Sequence, residues 1–195
     1  MRKVAVTGNI GSGKTAICSV FEVLGIPVFY ADKEAKKLYA DPEVLKKITE
    51  KFGTHVVTPN NTLDTRALAS IIFNDKKSLE FVNQLIHPRV FELFDQWCLS
   101  QSAAPYCMHE AALVYESGSQ NLFDHIIVVH APEEILLDRV IKRDGISMDQ
   151  ARERLNNQMS QTEKISLAHY TLLNDNSDLI IPQILKIDKE LRSKI

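Results

Sequence analysis

The sequence predicts a three-layer α/β fold around a parallel sheet of about five strands. Three observations lead there. A short apolar run, Lys3-Val4-Ala5-Val6-Thr7, is followed by a glycine-bearing loop, a helical period and a second apolar run, Ile26-Pro27-Val28-Phe29-Tyr30. Strand, crossover helix and strand in that order make a βαβ unit, whose strands pair in parallel. Further on, His125-Ile126-Ile127-Val128-Val129-His130 is apolar almost throughout, the pattern of a strand covered on both faces. Finally, strand-like runs alternate with long helical tracts rather than with hairpin turns.

Each element has its own signal. The first helix follows from Ile17, Val20, Phe21 and Leu24 at helical spacing, with Gly25 as its stop. The second strand ends at Ala31-Asp32. Helix formers then fill Lys33 to Ala40 and Pro42 to Phe52, and Thr58-Pro59-Asn60-Asn61 is the clearest turn in the chain. Leu63 to Phe73 and Leu79 to Leu99 read as further helices. The last carries an apolar stripe through Leu79, Val82, Ile86, Val90, Phe94 and Trp97, and Pro88 is expected to kink or break it. Strands return at Pro105 to His109 and His125 to His130, separated by the polar loop Glu116 to Asn121. Pro132 to Gln158 reads as one charged helical stretch, Tyr170 to Leu173 as a last strand, and Asp178 to Leu191 as a closing helix. The excursions after the second and fourth strands exceed simple connections. Insertions of that kind carry substrate contacts or lids.

With 195 residues the chain can bury one sizeable core with an inserted subdomain. Hydrophobic residues make up 45% and charged residues 25%, the balance of a soluble globular protein. A net charge of −2 gives no support for nucleic acid or a membrane surface as partner. Cys18, Cys98 and Cys107 are odd in number and far apart, without metal-ligand spacing, which points to a reducing compartment. Cys18 falls on the apolar face of the first helix and is expected in the core. No stretch is apolar enough to span a membrane, and the first strand leaves no room for a signal peptide, so a cytoplasmic location is expected.

The most informative chemistry lies in Gly8-Asn9-Ile10-Gly11-Ser12-Gly13-Lys14-Thr15, a match to G-x-x-x-x-G-K-[ST], the P-loop. It stands between a strand and a helix, as the motif requires. Its backbone N–H groups, with that of Ala16, can turn around a nucleotide's phosphates at the positive end of the helix. Lys14 can reach the β- and γ-phosphates, and the Thr15 hydroxyl can ligate Mg²⁺. Asp32, at a strand's carboxyl end, can accept the proton of an attacking hydroxyl, or it caps the following helix. Arg139 and Arg143 lie one turn apart on a helix. They either close over the transferring phosphoryl group or form a solvated face with Asp138–Lys142 pairing. His87-Pro88 reads as a helix end, and Glu116 as a substrate or Mg²⁺-water contact or a loop carboxylate. No strand ends cleanly in the Asp of a Walker-B motif.

Together these pieces resemble the dephospho-CoA kinase family over nearly the whole chain. The family's T-G-x-I-G-S-G-K-S corresponds to Thr7 to Thr15, with Thr in the last place. Its D-A-D corresponds to Tyr30-Ala31-Asp32, which keeps the last Asp, and its L-x-H-P to Leu85-Ile86-His87-Pro88. Its P-L-L-x-E corresponds to Ala112-Leu113-Val114-Tyr115-Glu116, and its lid Arg-Asp and Gln to Arg143-Asp144 and Gln158. Asn174 fits the Asn near the final strand. The resemblance implies a P-loop kinase that transfers phosphate from Mg²⁺-ATP to the ribose 3′-hydroxyl of dephospho-CoA. It implies Asp32 as base, Lys14 and Arg143 at the transferred group, and Thr7, Asp32, His87 and Glu116 toward substrate. It also implies a single kinase domain over 1–195, with a substrate-gripping part near 60–90 and a lid over 132–158; a monomer is expected. Another small-molecule kinase of this architecture is the main rival. A nucleotide switch is a second, though no N-K-x-D motif is present to read guanine.

Overall fold

The computed structural model describes residues 1–193, with the backbone alone at Phe73 and Asn74. Five apolar runs become strands: β1 (Arg2–Thr7), β2 (Val28–Tyr30), β3 (Tyr106–Glu110), β4 (His125–His130) and β5 (Tyr170–Leu173). They form one sheet in the order β2-β3-β1-β4-β5, every pair parallel. The expected fold class is the one found. β3 runs one residue further than the sequence suggests, so that Glu110 ends it in register with Val6.

The chain packs as two compact units, Met1–Tyr30 with the residues from Cys98 onward, and Ala31–Trp97. In the sheet-bearing unit, α1 (Lys14–Val23) and α9 (Ile180–Ser193) supply Ile17, Cys18, Phe21, Ile184, Ile187 and Leu191 to one core with Val4, Val6, Tyr106, Met108, Ile127 and Leu172. The strand members alternate along the chain, as the two-residue period of a strand requires. Cys18 is fully buried here, as expected.

The stretch read as helical over 132–158 holds two helices. α6 (Glu133–Asp144) ends at Gly145, and α7 (Met148–Asn156) starts on a capping box of Ser147 and Gln150. An unforeseen α8 (Gln161–Ser166) starts on a second box, Ser160 and Glu163. Acidic Glu133 and Glu134 open α6 and basic Lys142 and Arg143 close it, in line with the helix dipole. Leu136, Leu137, Val140, Ala151 and Leu155 form a small separate core, against which Ile10 packs.

The Ala31–Trp97 unit is helical: α2 (Ala31–Leu38), α3 (Pro42–Phe52), α4 (Thr65–Asn74) and most of α5 (Lys76–Ser100). Asp41 caps α3 ahead of Pro42, and Asp64 caps α4 through the Arg66 and Ala67 N–H groups. The predicted turn closes with Thr58 N–H on the Thr62 carbonyl and Asn61 at φ 56. Of the kink or break expected at Pro88, the break does not occur: α5 runs through it for 25 residues. Val82, Ile86, Val90 and Phe94 are buried on its stripe, while Leu79 is 40% exposed. Burial of that stripe outweighs the hydrogen bond that Pro88 cannot donate. Arg89 ties α5 to α3 by an ion pair with Glu43 at 2.9 Å.

Candidate active site

The loop Gly8–Gly13 follows β1 and runs into α1, whose N-cap is Gly13. Gly13 has φ 89 and no side-chain cap, and no acidic residue stands in the first turn. The Ile17 N–H is bonded to the Gly13 carbonyl, so the N–H groups of Lys14, Thr15 and Ala16 precede the first intrahelical acceptor. N–H groups that point along the axis at the positive end of a helix dipole make an anion site. A side chain at Gly13 would run into the Asn174 amide, and one at Gly11 into the Leu136 backbone. Both positions therefore need glycine for space as well as for angle.

Lys14 is largely buried, and its Nζ donates to the Gly8 carbonyl at 2.8 Å and the Asn9 carbonyl at 3.2 Å. The ammonium is thus held inside the loop. Ser12 Oγ and Asn9 Oδ1 are buried and have no hydrogen-bond partner among the described residues. Buried polar atoms call for one, and phosphate oxygens with a hydrated cation would supply it. Thr15 is exposed in the first turn of α1, with its hydroxyl available to such a cation. Among the described residues no cluster of three or more His, Cys, Asp or Glu could hold a metal alone.

The loop is braced from several sides. Arg139, on α6, donates to the Gly11 carbonyl at 3.3 Å, the Asn174 carbonyl at 2.9 Å and Asn176 Oδ1 at 2.7 Å. Asn174 donates to the Ser12 carbonyl at 2.8 Å. Gln158 accepts from the Ile10 N–H at 2.8 Å, and Asn9 donates to the Met159 carbonyl at 3.1 Å. Glu116 accepts the Met159 N–H at 2.9 Å and pairs with Lys164 at 2.8 Å. Lys164 is fully buried and also donates to the Ala112 carbonyl, which receives the Thr7 hydroxyl as well. The hydroxyl of Thr7 and the carboxylate of Glu116, both expected toward substrate, are thus engaged in this lattice.

Arg143 stands apart from it. It is bidentate to Asp144, which Arg154 also contacts at 2.8 Å, and this guanidinium pairing holds the Asp144 carboxyl below its ordinary range. Of the two arginines, Arg139 is therefore the one the structure brings to the loop. In the other unit, Asp32 lies in the first turn of α2 and is exposed. It makes none of the backbone contacts that mark Asp41 and Asp64 as caps. Its charge acts on His87, whose pKa burial pushes down against that pull. Sequence reasoning missed Glu110, Asn176 and Lys164. Glu110 ends β3 at 7% exposure, and its charge acts on Cys18 in α1. Its signal was the length assigned to β3.

A parallel sheet whose central strand feeds a phosphate-cradling loop and a helix is the P-loop kinase fold. A model of the dephospho-CoA kinase family matches residues 2–179. A dephospho-CoA kinase of Bacteroides fragilis is 37% identical, over 99% of this chain and 94% of its own. The crystal structure of TT1252 from Thermus thermophilus superposes with a TM-score of 0.84 at 29% identity, covering 100% of this chain and 97% of that one. A dephospho-CoA kinase of Campylobacter jejuni gives 0.71 at 28%, covering 100% and 99%. The chain belongs to the dephospho-CoA kinase family.

Proposed function

We propose that this protein transfers the γ-phosphoryl group of ATP to the ribose 3′-hydroxyl of dephospho-CoA, giving CoA and ADP, as a cytoplasmic monomer. The observation that carries the reading is the uncapped N-terminus of α1 beside the buried Lys14, in a chain of this family. Amides from Gly11 to Ala16 bind the β-phosphate, and Lys14 shifts from the loop carbonyls to bridge the γ-phosphate. Thr15, with Glu110 as a nearby carboxylate, would hold Mg²⁺, which would supply charge neutralisation for the phosphates. Asp32 orients the 3′-hydroxyl and takes its proton. The part near 60–90 grips the acceptor, with His87 beside it. The lid over 132–158 brings Arg143 toward the transferred group and excludes water. Because phosphoryl transfer asks little covalent chemistry of the protein, positioning and electrostatics account for the rate.

The test is ADP release measured with and without acceptor. Dephospho-CoA should stimulate it strongly, with the new phosphate on the 3′ oxygen. Equal stimulation by shikimate, gluconate or a nucleoside would sink the reading, as would acceptor-independent hydrolysis alone.

A further inference from the structure

Two of the three cysteines meet. Cys107 lies in β3, and Cys98 in the last turn of α5, within the same compact unit. Their sulfurs are 2.7 Å apart, where a disulfide needs about 2.05 Å. Both side chains are buried, and the kinase chemistry uses neither. We propose that Cys98 and Cys107 form a redox-active pair, which a low-molecular-weight disulfide oxidises to an intramolecular bond.

The route in is short. Met1 Sδ lies 3.1 Å from Cys107 Sγ, and Met1 is half exposed, so a rotation of that flexible side chain uncovers the sulfur. Cys98 is followed by Leu99, 81% exposed, one residue before α5 ends. Helix ends open most readily. The hydrogen bond to Cys98 lowers the Cys107 pKa, burial opposes it, and the charges of the Met1 amine and Lys3 add to the lowering. Cys107 is accordingly the attacking sulfur. Its thiolate attacks one sulfur of the small disulfide RSSR, and one RS⁻ leaves. Cys98 then loses its proton and displaces the second RS⁻ from the mixed disulfide. The net change is two protein thiols plus RSSR to one protein disulfide plus two RSH, with two electrons passing to the small disulfide. Cys18 takes no part, since burial and then the charges of Glu110 and Glu22 push its thiol far up.

The whole native protein is incubated with oxidised glutathione, quenched with acid, and its thiols counted after denaturation. The expected result is a fall from three thiols to one and a mass lower by two hydrogen atoms. A peptide pair joining Cys98 to Cys107 should be found, and dithiothreitol should reverse all of this. The oxidised form should unfold at higher urea, because the cross-link restricts the unfolded chain. Cys98→Ser should instead collect a glutathione adduct at Cys107 and lose the urea shift. Three thiols persisting in the native protein, adducts on Cys98 and Cys107 without a cross-link, a bond involving Cys18, or a bond between two chains would each overturn the proposal.

Discussion

Lys164→Met should lower stability by about 3 kcal/mol, the low end of the cost of breaking a buried ion pair. The magnitude follows from the site. The Lys164 side chain is wholly buried, and its ammonium contacts Glu116 at 2.8 Å and the Ala112 carbonyl at 3.1 Å. Methionine keeps most of the apolar stem but leaves Glu116 as a charge with only the Met159 N–H to hold it. The Glu116 side chain is 19% exposed, so water relieves part of that loss. The Ala112 carbonyl keeps the Thr7 hydroxyl and is not orphaned. In a chain of this size each kcal/mol moves Tm by about 2–4 °C, so a drop of roughly 6–12 °C is expected. Glu116→Gln added to Lys164→Met should restore part of it, since no charge then remains unpaired. Urea and thermal unfolding of the four proteins make the measurement. A single-variant loss under about 1 kcal/mol, the scale of an exposed pair, or a double variant worse than the sum of the singles, would refute the reasoning.

Other outcomes can be stated more briefly. His109 is 2% exposed and stacks on Phe29, and burial holds its pKa at about 4. The unfolded chain takes up this proton near pH 6.5 and the folded one only near 4, so stability is full above 6.5 and declines as pH falls toward 4. At about 1.4 kcal/mol per unit the loss reaches roughly 3 kcal/mol. His109→Phe should flatten the fall in urea midpoint between pH 7 and 4.5, and an unchanged slope would rule out this histidine as its source. Asp32→Asn should cut kcat by about a hundredfold or more with nucleotide affinity nearly unchanged; retained turnover in a coupled ADP assay would remove the base assignment. Arg143→Ala should lower kcat more than ATP affinity, whereas Arg139→Ala, which unbraces Gly11 and Asn174, should weaken nucleotide binding and lower Tm. The reverse pattern would exchange their roles.

What the sequence made legible was local. Gly8 to Thr15 carries its meaning in contiguous residues, and β5 and the Thr58 turn are marked by short-range composition. What escaped depends on distance along the chain. Gln158 meets Ile10 across 148 residues, and Lys164 reaches Ala112 across 52; no periodicity announces such partners. Arg139 and Arg143 share one helix face in sequence terms, yet packing of α6 aims only the first at the loop. That α5 continues through Pro88 was not legible either, because the local penalty is offset by the burial of Val82, Ile86, Val90 and Phe94 around it.

Lys14 rests on two main-chain carbonyls of its own loop. Its ammonium has therefore shed most of its hydration during folding, once, rather than at every catalytic cycle. On the proposed reading, an incoming triphosphate would exchange neutral dipoles for full negative charge and would have few water molecules to strip from the cation. Selectivity for highly charged anions over neutral hydrogen-bonding molecules would come with that exchange, because a strong charge is needed to outcompete two well-placed carbonyls.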